Sequence, residues 1–208
     1  MRTDYGKRDL EVAKAEADVY SQWHQESLTG NESGLGLDGI FVDEVAWSDS
    51  DLSYYLALST HIKRAHWRSG KRGKRFELLT DKGYVVLNPG CQPHHRYYTL
   101  ADVVIIFEKH YDNFVHDSKL ALPRPSPITP PSKWGVMIHD FCPNQTKQEK
   151  AIEMKALIHE LVQIKQIGCF FITDIELAKA DVYGNWSSVW TEFIDIMAET
   201  AHSSSFLF

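Results

Sequence analysis

The sequence lacks an apolar run long enough to cross a membrane as a helix. One of its longest apolar runs, VVIIF at residues 103–107, falls far short of the roughly 18 residues that a spanning helix needs. The first eight residues, MRTDYGKR, carry charges without an apolar core, so they do not read as a signal peptide. Positive charge is also scarce, because 22 Lys and Arg face 28 Asp and Glu, for a formal net charge of −6. We therefore expect no nucleic-acid partner.

Cysteine and glycine motifs are scarce as well. The three cysteines Cys91, Cys142 and Cys169 show no CxxC spacing, which excludes a zinc ribbon and allows one disulfide at most. No glycine-rich phosphate-binding fingerprint follows an apolar run, and this weakens a nucleotide-binding interpretation. No predicted strand ends in lysine, so a Schiff-base aldolase has little support. Since His94 and His95 have no HxxH or HxxxH companion, we predict no metal site and no cofactor.

The remaining composition is that of an ordinary globular protein. The chain has 208 residues, of which 43% are hydrophobic and 24% charged, enough for a single compact domain over residues 1–208. Three of the five asparagines open an N-x-S/T glycosylation sequon: Asn31, Asn144 and Asn185. This frequency favours the secretory pathway mildly, and chance remains an equal alternative.

Short apolar runs alternate along the chain with longer stretches of helical period. The runs predicted as strands are residues 39–42, 84–87, 103–107, 134–138 and 169–172. Their nearly continuous apolar character is typical of parallel strands covered on both faces. The sequence thus predicts a parallel α/β fold.

Helical segments between these runs carry start signals and apolar stripes. Thr146 and Glu149 form a capping box, and Gly168 is the predicted stop of the helix that they begin. Residues 8–26 form another helix-like stretch. Two further stripes have helical spacing: Leu52, Tyr55, Leu56 and Ile62, and then Trp186, Val189, Trp190, Phe193, Ile194 and Met197. We interpret the aromatic stripe as core packing.

Polar residues follow the predicted strands at the point where each strand ends. These residues are Asp43, Glu44, Asn88, Glu108, His139, Asp140 and Asp174. Catalytic residues of TIM barrels lie at the carboxyl ends of the strands, so this pattern favours a TIM (β/α)8-type barrel over a doubly wound sheet. Five strands are fewer than the eight of a barrel. Residues 3–6, TDYG, resemble the end of an earlier strand, and we expect the barrel to lack its first two to three strands.

Three strand-end motifs together resemble a known family. GIFVDE at residues 39–44, VVLNPG at 85–90 and ADVVIIFE at 101–108 occur in the order and spacing of the spherulin-4, or spherulation-specific family 4, proteins, which correspond to glycoside hydrolase family 135. ITD at 172–174 and TDYGKR at 3–8 extend the resemblance over essentially the whole chain. Single motifs such as NPG are weak, but three in register are fairly specific.

The resemblance implies an endo-acting TIM-barrel glycosidase that cleaves α-1,4-linked N-acetylgalactosamine in extracellular or cell-wall polysaccharide. It implies that Asp43, Glu44 and Glu108 form the acidic catalytic cluster, with secretion or attachment to the cell surface. Glycoside hydrolysis uses two carboxyl groups, one protonated and one ionised. We assign Asp43 as nucleophile or ionised stabiliser and Glu108 as general acid/base, although the sequence does not fix this polarity.

Four further residues are candidates for substrate binding, each with a structural alternative. Asn88 has the groups to bind a sugar hydroxyl or N-acetyl group, or to shape the NPG turn, and His139, Asp174 and Tyr5 are placed to line the barrel mouth or make structural hydrogen bonds. Trp47, Tyr97 and Tyr98 are expected to be exposed in strand-end loops, where their aromatic faces either stack on sugar rings or, as the favoured alternative, pack within the loops. The rival function is a non-catalytic surface or spore-coat protein that retained the acids but lost hydrolysis.

Overall fold

A computed structural model describes residues 1–28, 37–65, 67, 83–142, 144–176 and 184–204. The strands are β1 (Gly39–Val42), β2 (Tyr84–Leu87), β3 (Val103–His110), β4 (Trp134–His139) and β5 (Cys169–Ile172). The helices are α1 (Leu10–Leu28), α2 (Leu52–Arg64), α3 (Tyr111–Ala121), α4 (Lys147–His159) and α5 (Trp190–Ser204). None of the described helices is long and apolar enough to span a membrane.

The strands form one sheet in the order β1-β2-β3-β4-β5. Val42 of β1 pairs in parallel with Leu87 of β2, and Leu87 pairs with Val104 of β3. Sequential order without reversal differs from a doubly wound sheet, in which the strand order reverses at a switch point. The α/β class and the parallel strands are therefore confirmed.

The predicted strand positions are confirmed, with two differences in length. β3 continues to His110 and β4 to His139, so each runs past the end of its apolar run. Glu108 consequently lies inside β3 and does not follow it. An apolar run shows only which side chains are apolar, whereas a strand continues through polar residues, as it does here through exposed Lys109 and through buried His139.

The first residues of the chain pair alongside β1. Arg2 forms a parallel bridge with Asp43. The Asp43 amide donates to the Met1 carbonyl over 2.7 Å, and the Thr3 amide donates to the Asp43 carbonyl over 3.0 Å. This pairing is an isolated bridge at Arg2 and not a strand, and Asp4–Gly6 form a short 3-10 turn. The expectation that residues 3–6 end a strand is therefore wrong in its bounds, although the chain before them does pair with the end of β1.

The predicted helices are present, but some apolar positions were misplaced. The capping box of Thr146 and Glu149 is confirmed at the start of α4. Trp186 precedes α5 and is 82% exposed, so it was wrongly assigned to the buried stripe. Leu56 and Ile194 were also expected in the core and are exposed. Helical spacing marks a broad apolar face, whereas tertiary packing buries only the part of that face that contacts a neighbouring element.

The chain divides into two compact units, and the division falls within β3. The first unit comprises Met1–Ile106 and Pro127–Thr129, and the second comprises Phe107–Ser126 and Pro130–Phe208. The largest buried side chains of the first unit include Tyr55, Tyr97 and Tyr98, and those of the second include Phe141 and Met154. The expectation of a single domain over the whole chain stays a prediction.

Candidate active site

Asp43 and Asn88 are joined at the carboxyl ends of β1 and β2. Phe41 is 39% exposed while Val42 is fully buried, and strand alternation places Asp43 on the same open face as Phe41. Asn88 Nδ2 donates to Asp43 Oδ1 over 2.9 Å. The Glu44 amide donates to the same oxygen over 2.8 Å. Both bonds fix the rotation of the carboxyl group, and the described part of the chain gives Oδ2 no hydrogen-bond partner.

Asn88 is itself held by the backbone of both strands. It is buried, its amide donates to the Val42 carbonyl over 2.8 Å, and its carbonyl accepts from the Val45 amide over 3.0 Å. Its Oδ1 accepts from the Gly90 amide over 3.0 Å. The turn-forming role and the contact with the candidate acid are therefore made by the same side chain.

Glu44 leaves the strand immediately after Asp43. Its φ of +53° lies in the left-handed region, which non-glycine residues seldom adopt. The carboxylate of Glu44 forms an ion pair with Arg2. The hydrogen bond from Arg2 lowers the pKa of Glu44 from its ordinary value. Glu44 is thus kept ionised, which does not suit a general acid.

Thr3 and Tyr55 form hydrogen bonds that support this strand end from its buried side, and neither role was predicted from the sequence. Thr3 is fully buried, and its hydroxyl donates to the Glu44 carbonyl over 2.8 Å. The Tyr55 hydroxyl lies 3.1 Å from Thr3 Oγ1 and accepts from the Ala46 amide over 2.8 Å. Tyr55 was expected only as an apolar stripe residue, and nothing in the helical spacing marks its hydroxyl as a support for the β1 turn.

Tyr5 reaches the same strand end. Its amide donates to the Glu44 carbonyl over 2.7 Å, and its φ is +52°. Its exposed ring makes an edge-on contact with the exposed ring of Trp47, with centroids 6.4 Å apart. By contrast, Tyr97 and Tyr98 are buried, so the expectation that they are exposed for sugar stacking is wrong. Burial raises the pKa of both phenols far above its ordinary value.

Glu108 belongs to the second unit and is half-buried. Its neighbour Phe107 packs edge-on against Phe114 of α3, with ring centroids 5.4 Å apart. Since adjacent residues of a strand point to opposite faces, Glu108 projects from the face of β3 that does not carry α3. Catalytic residues of TIM barrels lie at the carboxyl ends of the strands, and a catalytic role for Glu108 near the end of β3 stays a prediction.

His139 and Asp140 end β4, beside the last residue of β3. Asp140 Oδ2 lies 2.7 Å from His139 Nδ1 and 2.5 Å from His110 Nδ1. The rings of His110 and His139 are edge-on, with centroids 4.7 Å apart. His110 was not singled out from the sequence, because it follows Glu108 beyond the apolar run and lies far from His139 along the chain.

Asp174 follows β5 and is occupied by protein donors. Oδ1 accepts from Ser187 Oγ over 2.9 Å and from the Ser188 amide over 3.0 Å. Oδ2 accepts from Lys150 Nζ over 3.2 Å and from Ser188 Oγ. Burial raises the pKa of Asp174, but hydrogen bonds from Ser188, Ser187 and Lys150 outweigh it, so the pKa lies below its ordinary value. These contacts match the structural alternative, and substrate binding stays a prediction.

Within the first unit, the structure brings together Tyr5, Asp43, Glu44 and Asn88. In the second unit, Glu108 lies near the end of β3, His139 ends β4 and Asp174 follows β5. Positive φ values recur at these ends, at Tyr5, Glu44 and Asp140. Such conformations are maintained where the surrounding structure requires them and often occur at functional sites.

Comparison with known proteins identifies a matching family and relatives of this chain. The profile of the spherulation-specific family 4 matches residues 1–197. Spherulin-4 of Physarum polycephalum is 32% identical over 110 residues, which are 52% of this chain and 25% of that protein. This chain therefore aligns with only about a quarter of spherulin-4.

A solved structure shares the fold. The crystal structure of Aspergillus clavatus Sph3 in complex with GalNAc matches with a TM-score of 0.71 at 23% identity, over 95% of this chain and 70% of that chain. This similarity shows a common α/β fold. The family expected from the strand-end motifs is confirmed by the profile match over residues 1–197, and the chain belongs to the spherulation-specific family 4.

Proposed function

We propose that this protein is a glycoside hydrolase that cleaves α-1,4-linked N-acetylgalactosamine within extracellular or cell-wall polysaccharide. The observation that carries the proposal is the pair Asp43 and Asn88, in which one carboxylate oxygen is fixed by Asn88 Nδ2 at 2.9 Å. The Sph3 structure with GalNAc supports the choice of sugar. The sequential parallel strand order supports a TIM-type barrel as the scaffold.

The roles of the carboxyl groups follow from their surroundings. Asp43 acts as nucleophile or ionised stabiliser, because Asn88 and the Glu44 amide orient its carboxylate through Oδ1. Glu108 acts as general acid/base, since hydrolysis requires a second carboxyl group that exchanges a proton with the leaving oxygen. Glu44, held ionised by Arg2, contributes negative charge beside the reacting sugar and does not transfer the proton.

The neighbouring groups bind and position the sugar. Asn88 acts as a positioning residue for Asp43, because its Nδ2 is already committed to that carboxylate. Tyr5 and Trp47 form an exposed aromatic pair beside Glu44, and aromatic faces of this kind stack on the apolar faces of sugar rings. His139, at the end of β4, is a further candidate for contact with the sugar.

The test measures release of reducing ends from a purified galactosamine-containing polysaccharide. We expect Asp43→Asn and Glu108→Gln each to lower the rate by about 10²–10⁴-fold, the usual contribution of such groups. The control is Asp195→Asn, which changes an exposed acid on α5 in the same way. If either site variant retained the wild-type rate with unchanged thermal stability, the assignment of that residue would be wrong.

A non-catalytic surface or spore-coat protein is the second candidate. The observation that favours it is the ion pair between Glu44 and Arg2, which engages one of the three acids within the protein. Its signature is retention of polysaccharide by the wild-type protein in a pull-down, with no release of reducing ends. Release that is abolished by Asp43→Asn rejects it.

We also propose an extracellular or cell-surface location. The sequon asparagines Asn144 and Asn185 are exposed, as N-glycosylation requires, while Asn31 lies outside the described residues. Family membership supports the same location, because the polysaccharide proposed as the substrate lies outside the cell or in the cell wall.

A further inference from the structure

Three potential metal ligands converge where β3 and β4 end. His110 is the last residue of β3, His139 is the last residue of β4, and Asp140 follows directly. One ligand atom from each residue lies within 4.8 Å of the other two. Both imidazoles present Nδ1 to the same carboxylate oxygen, at 2.5 and 2.7 Å. Among the described residues, this is the group whose donors approach one another as metal ligands do.

The backbone fixes two of the three ligands. His139 is only 4% exposed. Asp140 has a φ of +56°, and its amide donates to the Ile175 carbonyl over 3.1 Å. The next amide, of Phe141, donates to the Thr173 carbonyl over 3.1 Å. This left-handed turn brings the Asp140 carboxylate back over the strand end beside His139.

We propose that His110, His139 and Asp140 bind a divalent transition-metal ion of the zinc type. Two imidazole nitrogens and one carboxylate oxygen are ligands that Zn²⁺ accepts, whereas Mg²⁺ and Ca²⁺ prefer oxygen ligands alone. Zinc bonds to nitrogen of about 2.0–2.1 Å require the three donors to move apart slightly. The His110 side chain is 50% exposed and has room to rotate, and its exposure leaves a position open to water.

Metal binding replaces the contacts that the two imidazoles make with Asp140. Nδ1 of each ring lies within hydrogen-bond distance of Asp140 Oδ2. An imidazole that coordinates a metal through Nδ1 carries its ring proton on Nε2. The proposal does not rest on the proposed glycosidase activity, whose acids are Asp43 and Glu108, although His139 has a part in both proposals.

The experiment titrates the EDTA-treated full chain with ZnCl₂ by calorimetry and with CoCl₂ by visible absorption. We expect one ion per chain, with the intense d–d bands of low-coordinate cobalt. His110→Ala and Asp140→Asn should each weaken zinc binding at least tenfold, since each removes a ligand. Asn tolerates the left-handed conformation at position 140, so Asp140→Asn should remain folded.

The matched control is His116→Ala, which removes an exposed histidine of α3. It should bind zinc like the wild type. Failure of the wild-type protein to bind zinc more tightly than about 1 mM would reject the site, since that affinity corresponds to only about 4 kcal/mol. Wild-type affinity in either ligand variant would reject it as well. Reducing-end release is measured separately, so loss of the proposed hydrolysis leaves this result unaffected.

Discussion

At the scale of single residues, Asp174 shows how a polar strand end is used to hold helices in place. Its two oxygens accept bonds from Lys150 of α4 and from Ser187 and Ser188, which precede α5. A carboxylate engaged in this way stabilises the folded state only while it is ionised. Because the pKa of Asp174 is lower in the folded protein than its ordinary value, its contribution depends on pH.

We therefore predict that Asp174→Asn lowers the free energy of unfolding by about 1–2 kcal/mol at pH 7. The folded-state pKa is the lower one, so this stabilisation is fully present above the unfolded-state pKa of about 3.9 and is lost as pH falls through the folded-state pKa. Urea denaturation at pH values from 7 to 3 measures the difference between wild type and variant.

The difference in the free energy of unfolding between the wild type and Asp174→Asn should be constant from pH 7 to about pH 5 and should become smaller below about pH 4. Asp195→Asn, an exposed acid of α5, is the control and should show no comparable change. A variant as stable as the wild type at pH 7 would contradict the structural role and favour the substrate-binding interpretation of Asp174.

At the scale of elements, the chain after α4 shows two different structural reasons for a glycine: a left-handed backbone conformation and a close approach of another backbone segment. A π-helical turn over Glu160–Ile164 continues α4. The residue in left-handed conformation is Gln166, with a φ of +55°, and the Ile167 amide donates to the Leu161 carbonyl over 2.9 Å. The predicted stop was Gly168, two residues later. A Cβ on Gly168 would lie 1.9 Å from the Ser132 carbonyl oxygen, so this glycine permits close backbone approach.

This geometry predicts opposite effects for two substitutions. Gln166→Gly should raise the free energy of unfolding by about 0.5–1 kcal/mol, because glycine adopts the left-handed region without the penalty of a side chain. Gly168→Ala should lower it by about 1–3 kcal/mol through overpacking. Chemical denaturation of both variants measures the changes. If Gly168→Ala were neutral, the close approach to Ser132 would be wrong.

The elements themselves were predictable where apolar pattern and backbone pairing coincide. Residues 39–42, 84–87 and 169–172 form strands with the expected bounds, since each run is short, apolar and bounded by turn residues. Helical spacing gave a wrong prediction where an amphipathic side chain was assigned to the buried core. Trp186 has the right spacing for α5, but Ser187 and Ser188 are drawn to Asp174 and the helix begins only at Trp190.

At the scale of the whole molecule, the sequence predicted the strand-end residues of the candidate site but not the residues that support them. Strand ends marked Asp43, Glu44 and Asn88, because polar residues after apolar runs are visible in a sequence. Their supports were not, since Thr3 and Tyr55 are distant in sequence and meet only through the fold. The grouping of His110 with Asp140 was missed for the same reason.

The reactivity of the buried Cys142 thiol can report how often the surrounding structure opens. Among the described residues, no disulfide joins Cys91, Cys142 and Cys169. Cys142 is buried in the segment that follows β4 and has a φ of +45°. Burial raises the pKa of the Cys142 thiol to about 11, which lowers the fraction of reactive thiolate at pH 8 about a hundredfold.

We predict that Cys142 reacts with a thiol reagent such as DTNB only when the surrounding structure opens. In a variant carrying Cys91→Ser and Cys169→Ser, labelling at pH 8 should be at least about a hundredfold slower for the folded protein than in urea, from the raised pKa alone. Burial should slow it further, and the rate should rise with urea in step with unfolding. Rapid labelling of the folded variant, at the rate of the unfolded chain, would show that Cys142 is open to solvent and that this strand end is not packed as described.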